Sequence, residues 1–448
     1  MQCRYYSNFE KDKNMQQIRM ISLIFCFLLG CGTSTRNPAT SISKNRGEYR
    51  ALLHNVKAFP NDAEFRVKLA EWHLAENQFQ KAIAHYDTAL MIQSDYLPAK
   101  HGRALAQYQS GQKVQGMREF LAVLAQPESE AFVEAIAHEI GIPYTIRQIT
   151  TGQGDDIHAR YSNSGNEIVF QSDRDGNWEL YRLALNRSEP IRLTFEDGDD
   201  ESPVFSPDGR HILFTSTRDS GPQQGDRKTR NIFQINAEDG TNLSKLIASN
   251  SDDWFPVYSP KGDWMVFASD RSDERQVEFG MRQSDLFIFD FEETNVSQFT
   301  FGFGDKSSPG VSAKGDKVVY VNNVNGHFEI YEQNRNESYG RRLVWGGGSK
   351  GGPVYAPDNK KIVYFEKKDD NFDLYMYNRE LQESFRLTID PGADFMPVFS
   401  PRGDKILFSS NRNGSFDLFE MDLNSSPSRL ELENRLSKIV FSLENQSQ

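Results

Sequence analysis

One block recurs along the C-terminal two thirds of this chain and limits its fold more than any other feature. It is clearest as Asp-Asp-Glu-Ser-Pro-Val-Phe-Ser-Pro-Asp-Gly at Asp199–Gly209. Variants stand at Ser251–Gly262, Gly304–Gly315, Ser349–Asn359 and Gly392–Gly403, with a degenerate first copy at Gly154–Gly165. The anchor positions Ala159, Pro203, Pro256, Pro309, Pro353 and Pro397 are separated by 44, 53, 53, 44 and 44 residues. A fixed period of this size marks a small unit that cannot bury its own apolar faces and must stack against copies of itself.

Each unit reads as four short strands. The first, such as Val204–Phe205, enters a Ser-Pro-Asp-Gly type turn, and an apolar strand such as His211–Ser216 follows. A polar turn leads to a third strand, as in Trp178–Leu183 or Phe416–Met421, and an Arg-Leu-Thr type strand closes the unit, as at Arg192–Thr194. Regular short strands with turn signals between them predict a β-propeller. Six blades are expected, with Arg147–Thr150 supplying the fourth strand of the last blade and so closing the ring and removing an exposed edge. Ser437-Lys-Ile-Val-Phe-Ser442 echoes Asp404-Lys-Ile-Leu-Phe-Ser409, so the tail reads either as a degenerate seventh unit or as a segment packed on the ring. The two longer units carry their extra residues at Arg218–Arg230 and Arg271–Arg282, which should form neighbouring loops.

The Ser-Pro-Asp-Gly units resemble the TolB-like family of propellers, whose repeat is similar in outline to the WD repeat. The resemblance covers residues 143–448. It implies a periplasmic protein–protein interaction role in an envelope complex. TolB's own N-terminal α/β domain has no counterpart here.

Residues 48–142 carry a different period, 34. Pro60, Ser94 and Glu128 are equivalent, as are Ala70 with Ala104, Asn77 with Gly111, Ala82 with Gly116, and Tyr86 with Phe120. Small residues let two helices approach, an aromatic fills the gap one turn on, and Asn or Gly makes the tight turn. The stretch Leu69–Leu90 resembles a tetratricopeptide repeat. About two repeats with flanking helices at Tyr49–Phe59 and Ser129–Glu139 are expected, either as a peptide-binding groove or as a spacer. The overall expectation is therefore an α+β multidomain chain, a helical array followed by an all-β propeller.

The three cysteines, Cys3, Cys26 and Cys31, all precede residue 32, so the body of the chain has no disulfide. Met20–Leu29 is too short to span a bilayer. It follows Arg19 and ends in Leu-Leu-Gly-Cys, which resembles a bacterial lipobox. Residues 1–30 are then a signal peptide, with Met15 the better start, and Cys31 is the lipidated residue of a tether over 31–47. Gly32 after the cysteine implies, by the same resemblance, the outer membrane. A net charge of −12 argues against wrapping nucleic acid, and a mean hydropathy of −0.63 excludes a polytopic membrane protein.

No catalytic constellation is legible. Gly347-Gly-Ser349-Lys-Gly351 has the letters of a nucleophile elbow but lies between two predicted strands, where that motif needs a strand-to-helix turn. The propeller histidines, His158, His211 and His327, fall in different units, and Asp173–Glu179 reads as a hairpin turn, so no metal, cofactor or catalytic residue is expected. The candidate binding residues lie at the start of the first strands. Asp156, Asp200, Asp253 and Asp394 read as turn caps or as an acidic rim for a basic segment. Trp254-Phe255 and Phe395-Met396, from opposite blades, read as interface anchors or as plugs of the channel mouth. The favoured function is a non-enzymatic, lipid-anchored, periplasm-facing scaffold whose partners are envelope proteins or peptide segments. The alternative is a propeller that senses a peptide, glycan or small molecule in its channel.

Overall fold

The computed structural model describes residues 46–445, apart from 220–228, 248, 276, 278–280, 325 and 369. The expected signal peptide, Cys31 and most of the tether lie outside the described residues, as does part of each long loop. The chain divides into a unit ending at Ala51 and a second from Leu52 to Gln448. Helix α1 (Arg46–Ala58) contains the described part of the first.

Helices α2 (Ala63–Ala75), α3 (Phe79–Ile92), α4 (Leu97–Gln109), α5 (Lys113–Leu124) and α6 (Val133–Glu139) follow. Asp62 caps α2 by accepting from the Glu64 and Phe65 N–H groups, which no intrahelical carbonyl can reach. The equivalent turn residues Asn77 and Gly111 both adopt positive φ, 56° and 95°. Tyr86 is buried among Ala82, Ala89, Ala99 and Ala106. A Cβ on Gly102 would stand 2.3 Å from the Tyr86 ring, so the glycine sets how closely α3 and α4 approach. Residues 129–139, expected as one helix, form a 3₁₀ segment (Pro127–Phe132) and the short α6.

Strands β1 (Thr145–Gln148) to β24 (Asp417–Asp422) form six four-stranded antiparallel sheets. Closure occurs as the repeat demands, with Thr145–Gln148 registered against Asp422–Phe419 as the outer strand of the sixth sheet. Each blade stacks an aromatic of its second strand on one of its third. The six pairs are Phe170–Tyr181, Phe214–Phe233, Phe267–Phe287, Tyr320–Tyr331, Tyr364–Tyr375 and Phe408–Phe419, with centroids 5.6–6.1 Å apart.

The tail is neither a seventh blade nor a strand. It is helix α7 (Arg429–Asn445). Leu432, Leu436, Ile439 and Val440 recur at helical spacing and are buried against Phe120, Ile136 and Ile142 of the helical region. The strand-like letters at 437–442 lie inside that apolar stripe, which decides their conformation. Glu431 of α7 accepts from the Ile146 N–H at 3.1 Å, so the helix covers part of the outer edge that β1 would leave open.

Candidate functional site

The six innermost strands are β2 (Asp156–Tyr161), β6 (Asp200–Phe205), β10 (Asp253–Tyr258), β14 (Asp305–Val311), β18 (Ser349–Tyr355) and β22 (Asp394–Phe399). The expected acidic residues open four of them, but their carboxylates are not on the surface. Asp200, Asp253 and Asp394 are fully buried and Asp156 nearly so. Each meets an arginine 18 residues further on: Arg174 at 2.7 Å from Asp156, Arg218 at 2.6 Å from Asp200, Arg271 at 2.7 Å from Asp253 and Arg412 at 2.8 Å from Asp394. In every case the arginine Nε donates to the serine two residues before it, Ser172, Ser216, Ser269 or Ser410, at 2.9 Å. The guanidinium also lies over the third-strand aromatic, 4.8–5.2 Å from its centroid.

This staple ties the inner strand to the turn between the second and third strands. Burial pushes the Asp200, Asp253 and Asp394 carboxyls up, opposed by the facing arginine. Blades four and five invert the arrangement. Lys306 stands where the aspartate would be and donates to Asp285 at 2.9 Å, and Lys350 pairs with Glu366 at 3.3 Å.

Trp254, Phe255, Phe395 and Met396 are all buried. Trp254 packs with Trp264 and Phe299, and Phe395 meets Phe416 edge-on at 5.0 Å. Phe255 and Met396 belong to a ring that the sequence did not disclose. Each inner strand has a bulge at the residue before its anchor, and those six residues all adopt positive φ: His158, Ser202, Phe255, Ser308, Gly352 and Met396, between 51° and 58°. The bulges turn these residues to the central channel, which they line with Arg160 and Pro203, Pro256, Pro309 and Pro353. The space traced there by the centre of a water-sized sphere is about 20 Å³, enough for a water or two.

The surface that is open lies on the rim that the outer-to-inner connections share. Eight residues before each anchor stand Thr151, Phe195, Ala248, Phe301, Trp345 and Ile389. Phe195 is 70%, Phe301 45% and Trp345 59% exposed, and Phe303 beside them is 93% exposed. Arg192 lies over Phe195 at 4.7 Å and Arg342 over Trp345 at 5.0 Å, which restrains both rings. Ile389, at the equivalent position, packs against the core formed by the helical region and α7. The sequence carries this signal in the residue that follows the Leu-Thr type ending, one position beyond the expected fourth strand.

Among the described residues no group of three or more His, Cys, Asp or Glu side chains could hold a metal, and no helix is long and apolar enough to cross a membrane. Comparison with known families assigns the chain. The TolB beta propeller domain matches residues 141–225 and 222–370, over half of the sequence. The chain belongs to the TolB β-propeller family. A curated relative of this propeller, an uncharacterized protein of Agrobacterium fabrum, is 30% identical over 166 residues, which are 36% of this chain and 53% of the relative. The chain thus spans about half the length of that relative. Among solved structures, TolB from Acinetobacter baumannii is similar at 16% identity and a TM-score of 0.44, over 66% of this chain and 69% of that one. A putative TolB from Agrobacterium tumefaciens is similar at 14% identity and a TM-score of 0.46, over 62% of this chain and 97% of that one.

Proposed function

We propose that this TolB-family propeller is a non-enzymatic docking protein of the cell envelope, tethered to the outer membrane through a lipid on Cys31 and facing the periplasm. Its partner is another envelope protein, and its helical region, read as tetratricopeptide-like, positions the ring. The observation that carries this reading is the rim. One of its equivalent positions, Ile389, is used within the chain to seat a helical core. Three others, Phe195, Phe301 and Trp345, present large apolar side chains to solvent. Restrained aromatic side chains are the residues that anchor protein interfaces, because burying them gains area at small entropic cost. The buried staple aspartates serve this surface indirectly, by fixing the strand starts next to it.

The test replaces Phe195, Phe303 and Trp345 by Ser together. The thermal midpoint should stay close to wild type, because surface changes move stability by at most about 0.5 kcal/mol. Partners crosslinked to the wild-type protein in intact cells should be lost. Unchanged crosslinking to the triple variant would place docking elsewhere.

A further inference from the structure

Every staple arginine of the propeller has a carboxylate partner. Arg160 does not. It sits on the channel-lining side of β2, and its guanidinium donates to the Ala159 carbonyl at 3.1 Å and reaches His158 Nε2 at 3.5 Å. No carboxylate among the described residues lies within ion-pairing distance of it, and no Asp or Glu lines the channel. A cation withdrawn from water without a counter-charge is destabilised. Burial accordingly pulls its pKa down to about 10.

The neighbouring groups supply no anion. Guanidinium nitrogens can only donate, so the His158 Nε2 facing Arg160 accepts. Burial together with Arg160 holds the imidazole pKa well below the usual histidine value, so the ring is neutral, and the contact with Arg160 assigns its proton to Nδ1. Nδ1–H points to the Ser202 hydroxyl at 3.1 Å. The Ser202 oxygen is thereby used as an acceptor and its own hydrogen is left for the channel. Ser202 is placed by its backbone, whose N–H donates to the Gln171 side chain at 2.8 Å. Ser308, at the equivalent bulge of blade four, turns a second hydroxyl to the same space.

We infer that the central channel is a binding site for a single carboxylate group, held by the Arg160 guanidinium and the Ser202 and Ser308 hydroxyls. The space is narrow, so a carboxylate entering it displaces the water it can hold and meets the guanidinium directly. Phe255, Met396 and the prolines give the carbon end of the ligand an apolar wall. The inference does not depend on the rim docking reading. A free small acid and the terminal carboxylate of a polypeptide share this chemistry.

The test titrates the full-length protein with sodium acetate at ionic strength held constant by sodium chloride, and follows the His158 imidazole nitrogens by NMR. One saturable shift is expected. Arg160→Gln should abolish it, and Arg160→Lys should weaken it. A Ser202→Gly/Ser308→Gly variant suits the positive φ at both positions, stays folded, and should lose about tenfold or more in affinity. That variant decides the matter if Arg160→Gln does not fold. No shift in the wild type, or a shift unchanged in the serine variant, would overturn the site. Acetyl-Gly-Gly as its free acid and as its amide separates the sources. An acid binding about tenfold more tightly than acetate, with the amide silent, assigns the site to a chain terminus. An acid no tighter than acetate assigns it to a free small acid.

Discussion

Replacing Arg271 by Met tests whether the inner-strand aspartates are structural staples or steering charges. Asp253 is fully buried and Arg271 about one fifth exposed. Without the guanidinium, the Asp253 carboxylate keeps only the serine hydrogen bonds, from Ser249 at 2.7 Å and from Ser269. Removing one partner of a buried pair costs about 3–5 kcal/mol. The lower end applies here, because Arg271 is not wholly buried and the carboxyl can escape by taking a proton. The loss should therefore be about 3 kcal/mol at pH 8 and smaller at pH 5. The sign follows from burial: it already raises the Asp253 pKa, and losing Arg271 raises it further, so the variant gains stability as pH falls through that raised value. Asp253→Asn alone should cost about 1–2 kcal/mol, because the stranded Arg271 reaches water. The double variant, with no unpaired charge, should be more stable than the sum of the single effects implies, by about 1–2 kcal/mol. Urea unfolding followed by tryptophan fluorescence measures all four proteins. Single effects below about 0.5 kcal/mol that simply add would refute the staple.

Leu436→Ala in α7 should cost about 2–5 kcal/mol, because the side chain is fully buried in the core shared with the helical region; calorimetry would show it. Gly102→Ala should destabilise the helical array, since the new methyl must displace the Tyr86 ring, and limited proteolysis should open residues 79–109 first. Burial raises the Asp373 carboxyl to about 7 against the pull of Arg386, so its contribution to stability is present at pH 4 and lost as pH rises through 7; Asp373→Asn should raise the thermal midpoint at pH 8 more than at pH 5.5. Cys31→Ala should move the protein from the membrane pellet to the soluble fraction, and retention in the pellet would contradict the lipid tether.

The blades were legible because their determinants are local and repeated. The Ser-Pro-Asp-Gly turns, the apolar second strands and the 44-residue period each point to the same architecture, and Arg147–Thr150 revealed the closure. The tail was not, since Ser437–Ser442 reads equally as a strand or as one face of a helix, and only the apolar surface offered by Phe120 and Ile136 selects the helix. The aspartates are legible as turn caps or as an acidic rim, and the structure buries them against arginines. Their partners were visible as Ser-x-Arg at 172–174, 216–218, 269–271 and 410–412, always 18 residues after the Asp, yet pairing across a hairpin appears only when the register is known. Trp254 and Phe395, which read as interface anchors or as plugs of the channel mouth, are buried in the core beside the bulges. The bulges turn Phe255 and Met396 to the channel, while the exposed aromatics at 195, 301 and 345 sit eight residues before the anchors. Arg160 escaped notice because the first repeat is degenerate, and nothing in one dimension shows that a cation lacks a counter-charge.

The central claim is that the aromatic rim docks an envelope protein, and site-specific photocrosslinking in intact cells tests it most directly. A crosslinking residue at position 303 or 345 is compared with one at 208, in the turn at the opposite end of an inner strand. The account predicts a discrete protein adduct from 303 and 345, none from 208, and loss of the adduct when Phe195 is also replaced by Ser. Adducts of the same pattern from all three positions, or none from 303 and 345, would contradict it.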